Sequence, residues 1–201
     1  MSENTRRESP LERFETARER AEAAAGDAAN VVLGERPFLG HLNVRGDAAD
    51  TQFLRAANDV LGLALPREPN TVTEQGEHAA LWLGPDEWLV LTPPDAEAAV
   101  VERLRSALGD RFAALTDVSG GQTVITLSGK CARDVLAKGC TLDLHARAFG
   151  PGRCAQTHIA KSAALIRQTD ESPAFEIVVR RSFADYLWQW LEDAAREYRI
   201  S

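Results

Sequence analysis

Leu81-Trp82-Leu83-Gly84-Pro85-Asp86-Glu87-Trp88-Leu89-Val90-Leu91 is the stretch from which the rest of the chain can be read. Two short apolar runs rich in strand formers flank four residues of turn chemistry, and the ring of Pro85 presets φ for a chain reversal. Ala79 to Thr92 is therefore predicted to form a β-hairpin.

Upstream of it, Phe38, Gly40, Leu42 and Val44 alternate with His41, Asn43 and Arg45, the period of a half-buried strand, which Gly46 and Asp47 end. A helix follows, with Asp47 or Asp50 as N-cap, Phe53, Leu54, Ala57, Val60 and Leu61 on its buried face, and Gly62 just past its end. Downstream, Asp95 is placed to cap a helix carrying Val100, Val101, Leu104 and Leu108 up to Gly109, and Phe112 to Val118 reads as a strand. The order is βαββαβ.

After the turn Ser119-Gly120-Gly121-Gln122 the order starts again. Thr123 to Leu127 reads as a strand and Lys130 to Lys138 as a short helix stopped by Gly139. An irregular stretch through Phe149, Gly150, Pro151 and Gly152 leads to strands near Cys154 to Ile159, Ala163 to Arg167 and Phe175 to Val179. The last helix has Ser182 as its cap with Asp185 at the reciprocal position, and an inward stripe of Phe183, Leu187, Trp190, Leu191 and Ala194. The halves share no sequence identity, but their repeated order predicts an α+β fold of tandem βαββαβ-like halves, mostly antiparallel sheet with helices on one face. Residues 1–36 are read as a charged extension, with one helix starting at Ser9-Pro10-Leu11-Glu12 and a thin face of Leu11, Phe14, Ala17, Ala21 and Ala25; residues 37–201 are read as the domain.

With 201 residues and 44% hydrophobic residues, the chain can bury one core. Its net charge of -7 argues against nucleic acid or an anionic membrane as the main partner, since both attract basic faces. No apolar run approaches the roughly 18 residues that span a bilayer, and the N-terminus shows no apolar signal core, so the expected location is the cytoplasm. Cys131, Cys140 and Cys154 lack CxxC spacing and are read as buried thiols.

The chemistry-bearing motifs are sparse. Gly129-Lys130 runs into Cys131 rather than Ser or Thr, and Gly120-Gly121 is an isolated pair between two strands, so neither a phosphate loop nor a dinucleotide fingerprint forms. His41, His78, His145 and His158 show no metal-ligand spacing. Asp86-Glu87 falls on a turn with nothing to split the two pKa values, while Asp117 at a strand end and Asp143 in the irregular stretch are better placed for acid-base work. Trp82 and Trp88 flank the hairpin turn and Trp188 lies off the helical stripe, where a large aromatic serves either as core or as an interface anchor. Arg180-Arg181 before the last helix is read as a solvated pair, with anion binding the alternative.

Several runs together resemble the gamma subunit of the heterotetrameric sarcosine oxidases. They include Leu42-Asn43-Val44-Arg45-Gly46-Asp47, Glu68-Pro69-Asn70-Thr71, Trp82 through Leu89, Asp117-Val118-Ser119, Val135 through Cys140, Leu142-Asp143-Leu144-His145, Pro151 through Thr157, and Arg180-Arg181-Ser182-Phe183-Ala184 with Tyr186-Leu187-Trp188. The resemblance covers Pro37 to about Tyr198. It implies a complex with alpha, beta and delta subunits that oxidatively demethylates sarcosine to glycine, giving hydrogen peroxide and a tetrahydrofolate-bound one-carbon unit. FAD, FMN, NAD and tetrahydrofolate would belong to that complex. This chain would be a non-catalytic accessory that binds no cofactor or metal itself, with Trp82, Trp88 and Trp188 at the partner interface.

A more distant resemblance is to the folate-binding domain of aminomethyltransferases, which implies the same fold. It also implies an alternative function, a free-standing folate-dependent one-carbon transferase. That family carries a catalytic aspartate in an Asn-Asp pair before a proline-glycine turn, and Leu142-Asp143 before Pro151-Gly152 occupies the comparable place. Asp143 is the one transferable candidate. The family's later glycine and aspartate pairs are replaced by Ser162-Ala163-Ala164 and Arg167-Gln168. The transferase reading predicts a deep pocket beside Asp143, the subunit reading an exposed apolar patch, and a regulatory ligand-binding module on the same fold is a third possibility.

Overall fold

The hairpin forms where its turn chemistry places it: β4 (His78–Gly84) and β5 (Glu87–Thr92) pair antiparallel with Trp82 opposite Trp88 and Gly84 opposite Glu87. The structure, a computed structural model, describes residues 7–14 and 30–198. The other strands are β1 (Val32–Arg36), β2 (Gly40–Gly46), β3 (Val72–Gln75), β6 (Ala113–Asp117), β7 (Gln122–Ser128), β8 (Cys154–Ile159), β9 (Ser162–Asp170) and β10 (Ala174–Arg180). The helices are α1 (Thr51–Leu61), α2 (Glu97–Leu108), α3 (Ala132–Ala137) and α4 (Arg181–Ala195).

Two antiparallel five-stranded sheets result, ordered β3-β4-β5-β2-β6 and β8-β9-β10-β7-β1. Written this way, the sheets correspond strand by strand in order, and each carries one helix after its second-from-edge strand (α1 after β2, α3 after β7) and another after its central strand (α2 after β5, α4 after β10). The repeat expected from the sequence is thus present with one more strand in each half. β1 takes in the second sheet the place that β6 takes in the first, pairing Val32 with Ser128 through Arg36 with Val124.

That strand displaces the boundary expected between residues 36 and 37. Leu33 is buried, and so is Leu11, in the segment read as an extension. Ser9 Oγ accepts the Leu11 N–H at 3.0 Å, as a cap would, but the turn that follows is a 3-10 turn of Glu12–Phe14. The rest of the expected helix, with Ala17, Ala21 and Ala25, lies outside the described residues.

Alternation along the strands sets the layers. Leu42, Val44, Ala80, Trp88 and Val90 pack with Phe53, Leu61, Val100 and Leu104 of α1 and α2. Their neighbours Ala79, Leu81, Leu89 and Leu91 pack against Val124, Cys154, Leu165 and Val178 of the second sheet. Ile125, Leu127, Ile166, Phe175, Ile177 and Val179 face α3 and α4. The layers run helix, sheet, sheet, helix. Each sheet takes helices on one face as expected, and the other face meets the second sheet, which is why β5 reads as an uninterrupted apolar run.

Helix termini follow local chemistry with two corrections. Asp50 caps α1 by accepting the Gln52 N–H at 2.8 Å, and Gly62 ends it at φ 74°, a left-handed conformation that costs glycine nothing. Asp95 does not cap α2: Ala96 precedes the helix without a side-chain bond, and Asp95 pairs instead with Arg7 at 2.6 Å. Ser182 does not cap α4 either, because β10 ends at Arg180 and the helix starts at Arg181, leaving Ser182 inside the first turn. The buried stripe of α4 is Ala184, Leu187, Trp188, Leu191, Ala194 and Ala195. Phe183 turns outward at 43% exposure, while Trp190 closes over Gly139, where an added Cβ would lie 2.5 Å from its ring.

Candidate functional site

Of the three tryptophans expected at a partner interface, two lie inside the fold, which corrects that expectation. Trp88 is fully buried beside Phe53, with its indole N–H donating to the Pro66 carbonyl at 2.7 Å. Trp188 is 2% exposed and stacks on Phe14 at a centroid distance of 5.6 Å. The N-terminal segment therefore covers the ring that would otherwise face solvent. Trp82 is half-buried on β4. The large apolar side chains at the surface are others, namely Phe112 at 100% exposure, Phe38, Phe183 and Tyr186. Phe112 leads into β6, an edge strand whose outer backbone has no sheet neighbour among the described residues. An aromatic placed just before an edge strand was the available sequence signal, and strand periodicity absorbed it instead.

Asp143 is exposed, and its Oδ1 accepts the His145 N–H at 3.0 Å, so the carboxylate shapes a turn. It lines none of five clefts of about 340 to 590 Å³ formed by the described residues. The irregular segment that carries it is held from below by Arg133, which donates to the carbonyls of Leu144 and Phe149 and, at 2.7 Å, to Gln168 Oε1, and lies over the Phe175 ring. Asp117 accepts the Ser119 N–H at 2.9 Å and its hydroxyl as well.

Titratable groups are buried elsewhere. His41 is 1% exposed, its Nδ1 lies 2.9 Å from the Leu39 carbonyl, and burial lowers its pKa to about 4, which keeps the imidazole neutral. Burial raises the Cys154 thiol to about 11, the opposite of a reactive thiolate. Cys140 is buried and Cys131 half-buried. Between the sheets, Arg167 donates from Nε to Glu176 Oε2 at 2.8 Å, with both residues at most 5% exposed, while Glu74 and Arg36 close the two ends of the chain of charges. The Arg167 guanidinium lies 2.9 Å from Glu74 without the alignment of a hydrogen bond. Arg181, half of the candidate anion grip, donates to the main-chain carbonyl of Glu8. Among the described residues no three of His, Cys, Asp or Glu converge as a metal set, and no helix is long and apolar enough to cross a membrane.

The model of the family described as "Sarcosine oxidase, gamma subunit family" matches residues 45–197. The chain is 37% identical to the sarcosine oxidase subunit gamma of Corynebacterium sp. (strain P-1), over 98% of this chain and 97% of that one. It is also 37% identical to that of an Arthrobacter species, again over 98% and 97%. A solved heterotetrameric sarcosine oxidase from Corynebacterium sp. U-96, in complex with pyrrole 2-carboxylate, contains a chain that matches with a TM-score of 0.86 and 32% identity over 97% of each chain. Aminomethyltransferase T of the glycine cleavage system from Bartonella henselae matches with a TM-score of 0.62 and 16% identity, over 84% of this chain and 47% of that one, a likeness of fold alone.

Proposed function

The chain belongs to the sarcosine oxidase gamma subunit family, and from that premise we propose that it is the non-catalytic accessory subunit of a heterotetrameric sarcosine oxidase. Its partners are the alpha, beta and delta subunits, and the assembly demethylates sarcosine to glycine with release of hydrogen peroxide and a tetrahydrofolate-bound one-carbon unit. FAD, FMN, NAD and tetrahydrofolate reside on the other subunits, and the assembly is cytoplasmic. The observation that carries this reading is likeness over the whole length, a TM-score of 0.86 across 97% of both chains.

The geometry supports an accessory role. The acid-base candidate carried over from the aminomethyltransferases, Asp143, is spent on a turn at the surface, and the buried Arg167 and Glu176 are paired with each other between the sheets. The apolar surface offered to partners is Trp82, Phe112 and the outer side of α4 at Phe183 and Tyr186.

Affinity purification of the tagged chain from its host tests the proposal. Three companion chains, a flavin absorption spectrum and sarcosine-dependent peroxide formation are expected. A colourless chain that purifies alone and binds tetrahydrofolate would overturn it in favour of the transferase.

A further inference from the structure

The two sheets end in four edge strands, and they are not protected alike. β8 is closed at both ends, by the bridge of Ile159 to Cys140 and that of Arg153 to Thr71, and β3 spends the Val72 N–H on the Gly152 carbonyl at 2.9 Å. β1 carries Glu35 and Arg36, and the N-terminal segment is tied to it by the Ser9 hydroxyl, which donates to Glu35. β6 has no such guard. Ala113-Ala114-Leu115-Thr116 holds neither charge nor proline, and its register with β2 runs unbroken by any bulge.

Ladder geometry tells which of its groups are open. Val118 donates to the His41 carbonyl at 2.9 Å, and antiparallel bonds alternate along a strand, so Ala114 and Thr116 spend their main-chain groups on β2. Ala113, Leu115 and Asp117 turn theirs outward, where they meet no main-chain partner among the described residues.

A groove of about 340 Å³ accompanies this edge, with Leu108 of α2 and Leu115 in its lining beside Arg105 and Arg111. Both arginines are exposed, and no carboxylate lines the groove although the chain carries a net charge of -7. Arg111 donates to the neutral side chain of Gln52, and the Arg105 guanidinium pairs with none of the described residues. Phe112, wholly exposed, stands at the entry to the strand. An open edge calls for extended backbone, which alone returns N–H and C=O groups at the ladder spacing, and uncompensated guanidiniums call for a carboxylate.

We propose that a companion subunit lays an extended segment along β6, adding a strand to the first sheet, with an Asp or Glu side chain set against Arg105 and Arg111. The inference rests on the accessory-subunit reading above and says where the partner is met. The main chain of the segment pairs with Ala113, Leu115 and Asp117, and its apolar side chains cover Leu115 and Phe112. Its carboxylate sits towards Arg111, at the end of the strand away from the like charge of Asp117. A second copy of β6 fits less well, because its one carboxylate, Asp117, is committed to the N–H and hydroxyl of Ser119.

Hydrogen exchange resolved to single amides, on the assembly that the tagged full chain purifies in, is the first test. Inside the assembly, Ala113 and Leu115 should exchange as slowly as Ala114 and Thr116, whereas an open edge leaves them about tenfold faster or more. The second test introduces Arg111→Lys and treats the assembly with a carbodiimide, which joins an ammonium to a touching carboxylate without a spacer. A cross-link to an Asp or Glu of a companion chain is expected. Arg105→Glu combined with Arg111→Glu, both at exposed positions, should raise the apparent dissociation constant of the chain from its companions about tenfold. Fast exchange at Leu115 within a four-chain assembly, cross-links confined to this chain or to a second copy of it, or unchanged affinity of the double variant would overturn the inference and leave the subunit reading standing. A chain that purifies alone would remove both.

Discussion

The two halves use the same positions in the sheet and hold together differently. In the first, α1 and α2 are 11 and 12 residues long and lie over β2, β4 and β5 through an apolar layer that includes Leu42, Phe53, Trp88, Val90 and Leu104. In the second, α3 is 6 residues long, and a long irregular segment between it and β8 is fastened by Arg133. The face that the second sheet turns to the first carries the pair Arg167–Glu176 beside Leu165 and Val178. An apolar layer tolerates truncation in proportion to what is removed, whereas a buried ion pair fails as a unit.

That contrast can be broken in graded steps. The largest effect is expected in the second half: Arg167→Ala leaves Glu176 buried with only Arg36 for compensation and should cost about 3–5 kcal/mol in urea denaturation. Replacing both partners by apolar residues, Arg167→Met with Glu176→Leu, should recover most of that loss; a double variant as unstable as the single one would show that the pair is not the unit. In the first half, Leu104→Ala empties a buried site under α2 and should cost about 2–4 kcal/mol by the same measurement.

His41 gives a pH handle on the seam between the halves. Its pKa is lowered in the folded state from 6.5 to about 4, so the unfolded chain binds the proton more readily. Stability is complete above pH 6.5, falls as the pH drops towards 4 and levels off below, with a ceiling of about 3 kcal/mol. Thermal melts of the parent and of His41→Leu across that window should differ in slope, the variant being flatter. The smallest effects compare two helix starts. Asp50→Ala removes a cap bond and should cost about 1 kcal/mol, while Ser182→Ala, at a position that caps nothing, should stay within about 0.5 kcal/mol.

How much was legible varied with how local the cause was. The β4–β5 hairpin, α1 with its Asp50 and Gly62 termini and the strand and helix order of each half could be read, because turn residues and periodicity act within a few positions. β1 and β3 were missed. Val32–Arg36 contains a glycine and two charges, and Val72–Gln75 lies at an edge with no buried residue, so neither carries an apolar alternation. The tryptophans show the same limit at the site. Trp88 and Trp188 look like anchors by residue type, yet they are covered by Pro66 and Phe53 and by Phe14, neighbours 22 to 174 positions away in the chain. The burial of Glu97 gave no signal, since a glutamate in the first turn of a helix is ordinary.

By itself, then, the sequence determined the α+β class, the doubled order of elements and the family resemblance, all of which rest on residues acting over short spans or on the accumulated likeness of many short runs. Only the tertiary structure decided that β1 completes the second sheet, that the two sheets share an inner face holding Arg167 and Glu176, and that the N-terminal segment at Arg7–Pro10 packs over Glu35 and Glu97. These features arise where segments far apart in the chain are brought together, and burial there is a property of the whole packing rather than of any one stretch.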